Sequence, residues 1–348
     1  MLLDVRIAAL LLVLPLSGCG TLYLAQAAAG QWQVMAAREP IAAVLADPAT
    51  PPPLRARLEL VAAAREFASR SLALPDNASY RSYAALDRRY VVWNVVAVPE
   101  FSVAPKEWCF PVAGCVAYRG YFSERRARDY ALTLESRGYD VVVGGVAAYS
   151  TLGRFADPVL STMLVYGDEQ LAAVIFHELA HQVVYVPGDS AFNEAFAVTV
   201  EQEGLARWLG QRGEPDALAA WRQRRDVQAE AAALFATYRQ TLRQLYAGGL
   251  DAPAMRARKR EVLARLGDAL RALEARSGVP VAYAHVDAGL NNAHLASVAT
   301  YFDCVPGFER LLAGAGHDLP RFYAAVKTLA AAPPQQRRAA VCAAAPRE

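Results

Sequence analysis

Residues 174–185 read Val174-Ile-Phe-His177-Glu178-Leu-Ala-His181-Gln-Val-Val-Tyr185. Apolar residues flank a His-Glu-x-x-His unit, which predicts a helix with one polar, chemistry-bearing face. Positions i and i+4 share a face, so His177 and His181 can present imidazole nitrogens to one ion while Glu178 lies beside it without ligating. This spacing implies Zn2+ as cofactor and Glu178 as general base of a metal-assisted hydrolysis. Only five histidines occur in the 348 residues, and two of them fall here. Upstream, Gly167-Asp168 ends the preceding segment, and Asp168 is placed to cap a helix that starts at Glu169.

A hydrolytic zinc site needs a third protein ligand and an open position for water. Downstream, Pro187-Gly188-Asp189-Ser190 reads as a tight turn into a second helix over 190–209 that carries Asn193-Glu194-Ala-Phe-Ala. In an antiparallel hairpin centred between Pro187 and Gly188, Glu194 is level with His181. Glu201 lies two turns further on the same face, nearer His177. Glu194 is therefore the expected ligand. Glu201 is the expected partner of the outer nitrogen of His177, an interaction that fixes tautomer and ring orientation, and it is also the alternative ligand.

Outward from this pair of helices, a β-branched and aromatic pattern predicts strands over Tyr90–Val98, Val116–Phe122 and Tyr139–Val146. A helix over 124–137 connects the last two, with Ser123 as cap and Gly138 as stop. Ala156–Tyr166 reads as a further extended segment. Helices are expected over 22–47 and 54–74, broken at Asp47-Pro48 and Pro51-Pro52-Pro53, and over 214–247 and from Pro253 to Arg276. The last two form a helical hairpin at about 214–276. The class is α+β: a small sheet with an active-site helix and a ligand helix, plus N- and C-terminal helical additions. Residues 19–348 are expected to form one unit.

Hydrophobic residues make up 55% and charged residues 20% of the chain, which excludes disorder and low-complexity classes. The 36 basic and 34 acidic residues nearly cancel, with no long run of one sign, which argues against nucleic acid as a partner. Ile7–Leu16 is too short to span a bilayer that requires about 20 apolar residues, so residues 1–18 read as an export signal. Ser17-Gly18 directly before Cys19 resembles the bacterial lipobox, so Cys19 is the expected lipidation site and the membrane a partner through that anchor. Gly20 after the cysteine, by resemblance to envelope sorting signals, favours the outer membrane facing the periplasm. In that oxidising compartment the remaining four cysteines allow two disulfides. Pro111 and Gly114 suit a chain reversal that pairs Cys109 with Cys115, leaving Cys304 for Cys342; four reduced, buried thiols are the alternative.

The His177-Glu-Leu-Ala-His181 unit followed by Asn193-Glu194-Ala-Phe-Ala resembles the gluzincin metallopeptidases, in which a second helix supplies a glutamate from an Asn-Glu motif. The spacer departs from that pattern, since the twelve residues between His181 and Glu194 are fewer than the gluzincin norm. A closer resemblance, over nearly the whole mature chain, is to a bacterial lipoprotein family of predicted aminopeptidases. It rests on Trp108–Cys115, on Tyr118-Arg119-Gly120-Tyr121-Phe122, on Tyr149–Gly153, on the zinc motif and on Asn291-Asn292-Ala293. The resemblance implies zinc-dependent hydrolysis of a peptide substrate; the protein partner, if there is one, is unknown from sequence.

Such a reaction needs a donor for the developing oxyanion, and Tyr301, His294 and Tyr149 are the candidates. Tyr149-Ser150-Thr151-Leu152-Gly153 is expected to pair with substrate backbone as a strand beside the active-site helix. The M1-type Gly-x-Met-Glu-Asn segment that binds a free amino terminus is missing. Two other readings compete: an envelope lipoprotein acting as a binding module around a structural or inactive zinc site, and a zinc amidase acting on cell-wall fragments. Glu178 argues against the former, because a structural site needs no base beside an open position.

Overall fold

The computed structural model describes residues 19–110 and 114–342, the first four by backbone alone; the expected export signal lies outside the described residues. The arrangement is α+β, with helices far outweighing strands. At the N-terminus the expected helix over 22–47 is two helices, α1 (Cys19–Ala36) and α2 (Ile41–Ala46), parted by strand β1 (Arg38–Pro40). Pro40 lacks the N–H that would continue a helix, and β1 pairs instead with β2 (Ser82–Ala84). In α3 (Pro52–Leu72), Pro52 and Pro53 occupy the first turn, where a missing N–H is harmless.

Three antiparallel strands follow in the order β6-β3-β7, with β3 at Val92–Pro99, β6 at Arg119–Tyr121 and β7 at Tyr139–Val146. The single strand expected over 116–122 is divided at Ala117-Tyr118. Its first part is β5 (Gly114–Val116), which pairs with β4 (Trp108–Phe110) in a hairpin joined by the Cys109–Cys115 disulfide. Ser123 caps α4 (Glu124–Glu135) by accepting from the Arg126 N–H, and α4 lays Ala127, Ala131 and Leu134 against Val95, Ala97 and Val141 of the sheet. Of the expected extended segment 156–166, only β8 (Val159–Leu160) is strand, parallel to β2; a 3-10 turn follows it.

The largest core gathers around α5 (Asp168–Ala180) and α6 (Ser190–Gln211). Leu58 and Val61 of α3 close it on one side. On the other, Phe196 of α6 meets Phe308 of α10 (Val305–Gly314) and Phe322 of α11 (Leu319–Ala330). Gly167, not Asp168, stands at the cap position of α5; Asp168 sits in the first turn, where its charge suits the helix dipole, and pairs with Arg57 of α3. The expected hairpin consists of α7 (Pro215–Tyr246) and α8 (Ala252–Ser277), with a core of its own around Phe235, Leu242, Leu266 and Leu270. Between the hairpin and the sheet runs α9 (Asn292–Phe302), whose Ala293 and Ala296 meet Val98 of β3. The last described helix, α12 (Pro334–Val341), leads to Cys342, which is disulfide-bonded to Cys304 at the start of α10.

Candidate metal centre

His177 belongs to the last turn of α5, and His181 is the residue that caps it. The chain then turns back and enters α6, whose N-cap Asp189 accepts from the Phe192 N–H. Asn193 fixes this turn. Its amide donates to the Val186 carbonyl at 2.8 Å while its side-chain oxygen accepts from the Val186 N–H at 2.8 Å. Both polar groups of a buried Asn are thereby satisfied, and the next residue, Glu194, is held opposite the histidines.

Three atoms converge there. His177 Nε2 lies 3.2 Å from His181 Nε2 and 3.3 Å from Glu194 Oε2, and His181 Nε2 lies 3.7 Å from the same oxygen. On the far side of its ring, His177 Nδ1 donates to Glu201 Oε2 at 3.0 Å, which turns Nε2 toward the other two atoms. Among the described residues, the buried Nδ1 of His181 has no hydrogen-bond partner. Two imidazole nitrogens and a carboxylate oxygen aimed at one point repel one another unless a proton or a cation lies between them. Tetrahedral bonds of about 2.0–2.1 Å separate neighbouring ligand atoms by about 3.3–3.4 Å. The observed spacings bracket that value, so the donor set and its geometry fit zinc.

The electrostatics of the site follow from its burial. Desolvation pushes the Glu178 carboxyl up to about 7, and the nearby Glu194 charge adds to this against the pull of His177. Burial pushes His181 down to about 4. For His177 burial also disfavours the cation, but the hydrogen bonds to Glu194 and Glu201 outweigh it and hold the ring well above its usual range. Glu194 shows the converse: burial would raise its carboxyl, yet the two histidines hold it below the usual value.

His177, Glu178, His181 and Glu194 form part of the lining of a cavity of about 1060 Å³. Tyr301 reaches this cavity from the last turns of α9, and both the Glu194 charge and burial hold its phenol well above the usual value, so it stays protonated. His294 does not line it. As the third residue of α9, its ring folds back to accept from the Asn291 N–H at 3.1 Å and stacks edge-on against Tyr283. A helix cap has claimed the side chain that sequence offered to catalysis.

Tyr149, Ser150, Thr151 and Leu152 do line the cavity, but the segment is a turn and not a strand. Asp157 captures both the N–H and the hydroxyl of Thr151 at 2.8 Å, and Leu152 and Gly153 take positive φ values of 59° and 76°. The sheet reaches the cavity through Val92 and Asn94 of β3, Gly120 of β6 and Val146 at the end of β7. Tyr149 donates its hydroxyl to Gln31 of α1, which engages it across the cavity. Sequence reading passed over Tyr118, Tyr185 and the whole of α1 as parts of this lining. Tyr118 sits at the break between β5 and β6; burial, and after it the Glu194 charge, raise its phenol far above the usual range. No local signal marked it, since the break in the strand comes from the two different partner strands on either side.

Residues 22–341 match the family described as "Putative aminopeptidase". No curated protein and no solved structure matches the chain.

Proposed function

The chain belongs to the family described as "Putative aminopeptidase", and from this premise we propose that it is a zincin-like, zinc-dependent peptidase of the bacterial envelope, anchored by a lipid on Cys19 and facing the periplasm from the outer membrane. The observation that carries the reading is the convergence of His177, His181 and Glu194 beside the half-buried carboxylate of Glu178 on a cavity wall. These three residues would hold the metal, and Glu201 would orient His177 from behind. Zinc held there supplies Lewis acidity, acidifying water and polarising a peptide carbonyl.

The chain's own residues do the rest. Glu178 takes a proton from the attacking water and returns it to the leaving amine; burial raises its carboxyl, which makes it a stronger base than an exposed glutamate. The phenols of Tyr301 and Tyr118 stay protonated beside the Glu194 charge and can donate to the oxygen on which negative charge develops. The low-dielectric surroundings that raise these groups also strengthen their hydrogen bonds to the oxyanion.

Metal analysis of the signal-free protein beside His177→Ala, with peptide hydrolysis assayed on the same samples, tests the reading. One zinc per chain, lost together with cleavage in the variant, is expected. Full cleavage by a metal-free sample would overturn it.

A further inference from the structure

The helix α1 is apolar on more than one side: one packs on the body, and the other faces the cavity, where Gln31 accepts the Tyr149 hydroxyl. One side holds it to the body: Val34 is buried in the main core, Gly30 lies directly on the Phe122 ring, and Tyr23 stacks on Phe110. The Arg119 guanidinium lies 4.1 Å from the Tyr23 ring centre and 4.7 Å from that of Tyr130, pinning the helix to β6 and α4. The other side is formed by Leu24, Ala27, Ala28, Gln31, Trp32 and Met35, spaced i, i+3, i+4, i+7, i+8, i+11. All six line the cavity that holds the metal-site residues. Such spacing is one continuous helical stripe, and here the stripe is a wall of the groove.

That wall is exposed. Trp32 is 74% and Leu24 51% accessible, and Phe155, which lines the same cavity, is 50% accessible. These are three of the six large apolar side chains left exposed among the described residues, gathered at one groove. Patches of this kind mark an interaction surface. The charges of the groove point the same way. Among the described residues lining the cavity, the only carboxylates are Glu178 and Glu194, and both are committed to the metal site. A free α-ammonium entering here would lose its hydration and find no carboxylate of its own.

We propose that the groove binds extended peptides with large apolar side chains and cleaves bonds inside them, with the substrate's amino terminus blocked or lying outside the groove, and that Trp32 and Leu24 select the apolar side chains. This rests on the peptidase reading above and narrows its substrate class. It assigns α1 as a specificity wall, and it makes removal of single N-terminal residues the minor activity.

The test uses pairs of fluorogenic peptides of one sequence, N-acetylated or with a free amino terminus, carrying Leu/Phe or Ser/Asp around the scissile bond. Expected are a kcat/KM about tenfold or more higher for acetylated Leu/Phe peptides than for their free counterparts, and a roughly tenfold loss on that substrate in Trp32→Ser with less than twofold change on Ser/Asp peptides. Faster cleavage of the free forms, releasing single residues, would overturn the proposal and leave the peptidase reading standing.

Binding of an acetylated Leu/Phe peptide to Glu178→Gln, followed by anisotropy with and without the Trp32→Ser and Leu24→Ser changes, reads the wall without turnover. If no peptide is cleaved but this binding persists and the wall variants weaken it, the peptidase reading fails and the groove assignment survives. Wall variants that leave peptide affinity unchanged while lowering affinity for phosphatidylglycerol vesicles would identify the stripe as a membrane contact and sink the proposal.

Discussion

Glu178 concentrates the tension between stability and chemistry in a single carboxyl. With its folded-state value near 7 against about 4.5 for an unshifted side chain, it favours the fold fully below pH about 4.5, and that contribution is lost as pH rises through about 7. The metal-free Glu178→Gln protein should therefore be more stable than metal-free wild type at pH 8, by on the order of 2–3 kcal/mol, with the difference shrinking toward pH 5. Urea unfolding at the two pH values measures it, and a constant difference would show that burial is not what raises the carboxyl. With metal supplied, the same variant should keep its zinc while kcat falls by about 10²–10⁴. Glu194→Ala should abolish stoichiometric zinc, whereas Glu201→Ala should weaken affinity by roughly 10–100-fold; competition with a chromophoric chelator ranks the two.

At this scale the sequence was legible where spacing alone sets geometry. Counting along an antiparallel hairpin placed Glu194 and Glu201 opposite the histidines they face. It failed for His294, because whether an imidazole serves a cap or a cavity depends on the backbone it folds onto.

Among the elements, α1 shows why a composition can be read and its arrangement missed. Its apolar residues read as helix, but Arg38–Pro40 leaves the helical path because a partner strand more than forty residues later offers it hydrogen bonds, a non-local reward that no local pattern contains. Likewise β5 and β6 read as one strand because Ala117-Tyr118 has no breaker residue; the break arises from two different partner strands on either side of it. The docking of α1 has one narrow point. A Cβ on Gly30 would lie 2.1 Å from Phe122 Cγ, so Gly30→Val must push the helix off the body. That change should lower peptide kcat/KM while leaving metal content at the wild-type level. Loss of zinc in the same variant would mean that α1 supports the metal residues themselves.

For the molecule as a whole, the candidate metal site lies where the main core is assembled, not on a loop outside it. The C-terminal helices α10–α12 close that core, and the Cys304–Cys342 bridge spans a separation of 38 residues. Replacing both cysteines by alanine should cost about 4 kcal/mol of unfolding free energy through the longer-reaching disorder of the unfolded tail, measured by urea titration with and without bound zinc. An unchanged midpoint would assign the tail's attachment to packing alone. Composition announced a folded chain and patterning an α+β one, yet these last helices carried no motif to place them, since what orders them is the face of α6 they cover.

One contact sets a schedule. Arg337 in α12 bonds at 3.0 Å to Asp189, the carboxylate that caps α6, from 148 positions later in the chain. During synthesis the helix that carries Glu194 emerges long before the side chain that latches its first turn. The first turn of the helix that presents Glu194 therefore gains this tie only when the end of the chain has docked, so the candidate metal centre is completed by one of the last segments to be made.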